Sequence, residues 1–187
     1  GQKNLKRLIA YSSIGHMGYA LAGLSIGTNE GIQSSISYIV IYLVMNLGLF
    51  TCLFMMKRNN EYYEKIEDLS GLSKNHPLLS FSFLIVLFSL AGIPPLAGFF
   101  AKFYIFTAVI EESMYFLAIV GLLSTVIAAF YYLRLIKIIY FDNQKNKYET
   151  NHNIGLKLSL VLSSIFILFY FVYPSGLTGI IEKINII

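Results

Sequence analysis

The chain lacks most of what a soluble catalytic domain is built from. Among 187 residues there are one cysteine, no tryptophan, four prolines and only 13% charged residues. Ordinary soluble domains carry about 25% charged residues, so a single soluble globule is excluded and lipid is the solvent to assume. The lone Cys52 excludes a disulfide framework, an all-cysteine iron–sulfur site and a cysteine zinc site within this chain. His76 and His152 lie in polar connections, and no spacing supports a metal site. Nothing in the sequence binds flavin, nucleotide or an iron–sulfur cluster, so no cofactor is expected in this chain.

What is present is apolar. Hydrophobic residues make up 56% of the chain, with 15 Phe, 14 Tyr and 25 Ile against 10 Ala, and the mean hydropathy is +0.66. A bilayer core roughly 30 Å thick needs about 20 apolar residues per crossing helix, at about 1.5 Å rise each. Five segments meet that length: about 8–26, 34–56, 78–110, 113–133 and 158–178, with 179–187 as a C-terminal tail. The second is uncharged from Gly31 to Met56, the fourth from Ser113 to Leu133, and the fifth from Leu158 to Ile181. Unpaired backbone cannot face lipid and strand alternation is absent. The fold class is therefore all-α integral membrane, with five transmembrane helices in one domain over 1–178. The connections 57–77 and 142–157 are charged or polar, the first predicting a solvated loop with a short surface helix. No cleavable targeting peptide is visible, and a chain that opens on Gly1 is expected to be a trimmed product or the downstream part of something longer.

Loop charges set an orientation through the positive-inside rule. Lys3, Lys6, Arg7, Lys57, Arg58, Lys65, Lys74, Arg134, Lys137, Lys145, Lys147 and Lys157 fall on one side; Lys183 alone falls on the other, with Glu30, Glu111, Glu112 and Glu182. The N-terminus is expected inside and the C-terminus outside. The excess of 14 Lys+Arg over 10 Asp+Glu is thus topological. No nucleic-acid partner is expected; the surroundings are lipid.

The remaining basic residue, Lys102, lies inside the third apolar segment. A straight helix over 78–110 would measure about 50 Å, well beyond the hydrocarbon. Gly92, Pro94, Pro95 and Gly98 break it, because two prolines remove two donors and clash with carbonyls one turn back. A discontinuous helix is predicted, about 78–91 and then about 97–110. Such breaks are tolerated where the freed backbone is covered by protein or lines a wet cavity. Lys102 would lie about 12–14 Å below the outer boundary, where a lysine must face the bundle or water. An amine there can load and release a proton near neutral pH. The alternative is a span over 78–101 with Lys102 snorkelling at its end, which would leave the apolar run Phe103 to Ile110 outside the membrane for no reason.

Ser12, His16 and Tyr19 share one face of the first helix. His16 reads either as a proton relay or as hydrogen-bonded packing between helices. In the second helix Ser34, Tyr38, Tyr42 and Asn46 recur every four residues. That polar ridge must turn inward, to order a water path beside Lys102 or to bond neighbouring helices. Tyr131 and Tyr132, one turn before Arg134, read as an interfacial aromatic belt.

Three stretches carry a family resemblance. They are Gln2-Lys3-Asn4-Leu5-Lys6-Arg7-Leu8-Ile9-Ala10-Tyr11-Ser12-Ser13-Ile14-Gly15-His16-Met17-Gly18-Tyr19, then Met45-Asn46-Leu47-Gly48, then Ser89 through Ala91-Gly92-Ile93-Pro94-Pro95-Leu96-Ala97-Gly98 to Lys102-Phe103-Tyr104. From residue 2 to about 178 the chain resembles the C-terminal part of the subunit 2 (chain N) family of proton-pumping NADH:ubiquinone oxidoreductase, respiratory complex I. The resemblance implies the last five helices of a fourteen-helix antiporter-like subunit. It implies a broken third helix in the second half-channel, with Lys102 as its central proton-transfer residue. Sister subunits carry histidine and lysine where this chain has Tyr42 and Asn46. The family's first half-channel has no counterpart here, so the chain is expected to be a fragment or one product of a split gene. Its expected partners are the other membrane-arm subunits and a separate chain or missing segment with the N-terminal helices. It would be a subunit of the reductase with no redox centre of its own. The expected location is the mitochondrial inner membrane with the N-terminus on the matrix side, the alternative being a bacterial plasma membrane. The rival readings are a related cation/proton antiporter or membrane-bound hydrogenase subunit, and a structural or assembly membrane protein that conducts nothing.

Overall fold

Asn4 and Thr28 open the first two helices. The Asn4 side chain accepts the Arg7 N–H at 3.0 Å and that of Thr28 accepts the Gly31 N–H at 3.2 Å, each satisfying a donor that a helix start leaves free. The computed structural model describes residues 1–58, 61–62, 65–143, 149–150 and 153–183. It contains the helices α1 (Leu5–Leu24), α2 (Asn29–Met55), α3 (Leu72–Asn75), α4 (Pro77–Ala91), α5 (Ala97–Glu111), α6 (Tyr115–Phe141), α7 (Ile154–Phe169) and α8 (Ser175–Ile181). Two 3₁₀ turns, Ile66–Leu69 and Tyr170–Val172, complete the helical part.

Three helical stretches, Asn29–Met55, Tyr115–Phe141 and Ile154–Val172, are long and apolar enough to cross a membrane. The α1 helix has a comparable length of 20 residues, but its serines, His16, tyrosines and glycines keep it below their apolar level. Pro77, in the first turn of α4, is tolerated because helix starts have no use for its missing N–H.

The centre of the bundle is α2, which packs against α1, α4, α5, α7 and α8, while α4 also packs against α6. Ile41, Met45, Cys52, Phe83, Val86, Leu87, Ala97, Ala101 and Ile105 form the dry interior between them. Phe116, Val126 and Phe130 of α6 and much of α7 point outward, as lipid-facing or partner-facing side chains would.

The structure departs from the sequence expectations in three places. The polar connections hold a small antiparallel sheet of β1 (Met56–Arg58), β2 (Glu61–Tyr62) and β3 (Glu149–Thr150), ordered β2-β1-β3. Strands of two or three residues are too short to show alternation in a sequence. The fourth segment runs to Phe141 rather than 133, because Arg134 and Lys137 sit on an exposed face while Leu135, Ile136 and Ile139 on the other are buried. The fifth begins at Ile154 and its helical course stops at Val172. Pro174 follows, Tyr173 leaves helical geometry, and α8 then crosses the boundary drawn between 178 and 179. His152 and 184–187 lie outside the described residues.

Candidate functional site

The break between α4 and α5 is built by its own sequence. In a continuous helix the N–H four residues ahead satisfies each carbonyl, so the Leu90 and Ala91 carbonyls would look to residues 94 and 95. Both are prolines and have no N–H to give. Gly92 closes α4 in the left-handed region at φ +87°, its N–H reaching Phe88 O at 3.1 Å and Ser89 O at 2.9 Å. The two unclaimed carbonyls accept from Lys102 instead: its Nζ donates to Leu90 O at 3.1 Å and to Ala91 O at 3.2 Å. They belong to the negative end of α4, where a cation is favoured. Lys102 is 4% exposed, so within this chain it is a bundle residue and not a snorkelling one.

Ser89 pins the far side of the break. Its hydroxyl accepts the Gly98 N–H at 2.9 Å and donates to Met45 Sδ at 3.0 Å. Gly98 is required by that approach, since a Cβ there would overlap the Ser89 carbonyl.

Beyond the Tyr19 ring, which the amine faces, lies a hydrogen-bonded chain of side chains from α1, α2 and α6. His16 is 2% exposed; its Nδ1 meets Tyr38 OH at 2.6 Å and its Nε2 meets Tyr132 OH at 3.0 Å. Tyr132 OH also bonds Ser12 Oγ. A neutral imidazole donates from one ring nitrogen and accepts at the other, so the run Tyr38–His16–Tyr132–Ser12 can pass a proton by successive exchange. Tyr42 stacks on His16 with ring centroids 4.6 Å apart. A groove of about 110 Å³ lined by Ser12, Gly15, His16, Tyr19, Ser124, Ile127, Ala128 and Tyr131 adjoins the chain and opens beside the exposed Ile127.

The residues singled out by sequence divide here. Ser12, His16, Tyr38 and Tyr42 converge on one another, and Tyr19, whose ring meets those of His16 and Tyr38, lies 5.2 Å from the Lys102 amine. Asn46 is half-buried and forms no hydrogen bond with this set, and Ser34 spends its hydroxyl on the Gly31 carbonyl of its own helix. Tyr132 is a correction. Placed in an interfacial belt by its nearness to Arg134, it is instead 1% exposed and central to the hydrogen-bonded chain. Ser89, named only within a motif, and Ser124 and Thr125 were given no role by the sequence. The adjacent hydroxyls Ser124 and Thr125 in the uncharged stretch Ser113–Leu133 were the available signal.

The chain matches the family described as NADH:quinone oxidoreductase/Mrp antiporter, TM, over residues 1–128. It is 75% identical over its whole length to NADH-quinone oxidoreductase subunit N of Pelagibacter ubique, covering 40% of that protein. It is 51% identical over 177 residues to subunit N of Parvibaculum lavamentivorans, covering 95% of this chain and 37% of that one. The chain thus spans about two fifths of the curated relatives it matches. Among solved structures, a chain of respiratory complex I from Thermus thermophilus with bound aureothin aligns with a TM-score of 0.83 and 27% identity, over 96% of this chain and 40% of that one. A chain of the Mrp complex from Dietzia sp. aligns with a TM-score of 0.84 at 18% identity, over 98% and 42%, which shows a shared fold alone. The relatives named are bacterial, which fits the plasma-membrane alternative and gives the mitochondrial expectation no support.

Proposed function

The chain belongs to the NADH:quinone oxidoreductase/Mrp antiporter membrane family, and from that premise we propose that it is the Lys102-bearing part of subunit N of respiratory complex I, moving protons through a bacterial plasma membrane. The observation that carries this reading is the Lys102 amine, buried at the break between α4 and α5 on two carbonyls that prolines leave without donors. In this reading α4 and α5 are one discontinuous membrane span, the third of five, with α1, α2, α6 and α7 as the others. The N-terminus is inside. The rest of subunit N and the neighbouring membrane-arm subunits are its partners, and redox chemistry takes place elsewhere in the assembly.

Proton handling follows from the groups present. As an ammonium, Lys102 uses the negative end of α4 as its counter-charge; as an amine, it has two N–H groups left for the two carbonyls of that end and frees a lone pair. His16 and its phenol partners offer the adjoining path, since each member both donates and accepts. Passing one proton along the path reverses the order of its hydrogen bonds, so a rotation of the hydroxyls resets it. An upstream charge that favours or opposes the ammonium would load or discharge the site.

The test is Lys102→Ala in the full subunit, in complex assembled in its native membrane, with protons translocated and NADH oxidised measured together. The expected result is at least a tenfold slower proton translocation, about the cost of one cationic group in such a path. Wild-type translocation by an assembled variant would sink the reading.

A further inference from the structure

We propose that Tyr19 is a positioning residue for Lys102: its ring face holds the ammonium at the helix break, and its hydroxyl, tied to α6, fixes where that face stands. The inference rests on the reading of Lys102 given above. Two of the three N–H groups of the ammonium are taken by the Leu90 and Ala91 carbonyls. The Nζ atom also lies 5.2 Å from the centroid of the Tyr19 ring, within the range in which a cation is drawn to an aromatic face. Among the described residues no carboxylate pairs with Lys102, so carbonyls and ring together are what faces the charge.

The ring is held by neighbours from α1, α2, α5 and α6. Tyr19 OH lies 2.8 Å from Ser124 Oγ and 2.9 Å from Thr125 Oγ1. Both of those hydroxyls donate to the Gly121 carbonyl, which leaves them oriented to accept from Tyr19. Phe106 meets the ring edge-on at 6.0 Å between centroids, His16 does so at 6.1 Å, and Tyr38 stands at 5.8 Å.

Tyr19 also stands between two spaces. It lines the groove beside His16 and, on its other side, a space of about 260 Å³ walled by Phe106, Val109 and Gly121. The two spaces share Gly15, Tyr19 and Ser124, so the Tyr19–Ser124 contact is the partition between them. A side chain in that position sets the affinity of the break for a charged amine.

The experiment compares Tyr19→Phe, Tyr19→Leu and Tyr19→Met with Lys102→Ala in the full subunit of the assembled complex, reading protons translocated per NADH oxidised and the amount of complex on native gels. Phe keeps the face and loses the tie to α6; Leu and Met keep bulk and lose the face. Leu is expected to lower translocation roughly tenfold and Phe less than threefold, as for a desolvated cation over a ring. Leu combined with Lys102→Ala is expected to be no worse than Lys102→Ala alone. Met gives the same comparison should Leu not assemble. Wild-type translocation in Leu or Met, or equal losses in Phe and Leu, overturns the role of the ring. Full translocation in Lys102→Ala instead overturns the proton-transfer reading beneath it.

Discussion

Tyr132 carries two polar neighbours that have little else to bond. Removing its hydroxyl in Tyr132→Phe leaves Ser12 with Tyr131 as its remaining side-chain partner and leaves one nitrogen of His16 unpaired inside the bundle, and a buried group left unpaired costs about 1–3 kcal/mol. The expected outcome is a lower melting temperature of the purified complex, read on this subunit, and slower proton translocation. Tyr115→Phe, on an exposed residue at the start of α6, is expected to change neither. The contrast with Lys102 shows which residues a sequence reveals. A charge in an apolar run stands out because its burial is costly wherever the chain folds. A tyrosine one turn from an arginine looks the same in a headgroup belt and in a core. Tyr132 is buried on the side of α6 that meets Ser12 and His16 of α1, a relation between distant segments that no local pattern contains.

The helix break is where sequence and element correspond most directly. Pro94 and Pro95 remove the donors that Leu90 and Ala91 would use, and the glycines beside them permit a left-handed cap and a close return of the chain. These are local effects, so the predicted ends at 91 and 97 agree with α4 and α5. The two glycines differ in what they tolerate. Gly92→Ala places a Cβ in the left-handed region at a cost of about 1–2 kcal/mol, and 3.2 Å from Lys102 Cδ and Nζ. The lysine stem can yield, so a reduced but measurable amount of assembled complex is expected. Gly98→Ala drives a Cβ into the Ser89 backbone carbonyl, which cannot yield without moving α4. Loss of assembled complex on native gels is expected, with wild-type amounts contradicting the account. The end of α6 was illegible for the opposite reason: Arg134 and Lys137 mark the edge of the apolar run, yet a helix continues wherever one of its faces stays buried.

At the scale of the whole molecule, charge separates along the bundle. At one end the Ile66 N–H donates to Lys3 O at 3.0 Å and the Gly71 N–H to Ile138 O at 3.1 Å. The N-terminus, the connection with Lys65 and Lys74, and the end of α6 after Arg134 and Lys137 therefore meet there. At the other end a cleft of about 190 Å³ is lined by Glu30, Gln33, Ser37, Glu111, Thr178 and Glu182. The sequence alone already implied this separation, because each crossing reverses direction and the charges lie between crossings. Which helices touch was not implied, since α2 meets five others through side chains far apart in the chain. Separated charge gives an orientation that chemistry can read. With Cys52 buried and the single cysteine of the chain, thiols introduced at exposed Lys74 and Glu112 report their own side of the membrane. Lys74→Cys is expected to react with a membrane-impermeant maleimide only in inverted vesicles, and Glu112→Cys only in right-side-out cells or spheroplasts. The reverse pattern would turn the chain over and put the acidic cleft inside. Labelling of both from one side would mean that α4 and α5 together do not complete a crossing.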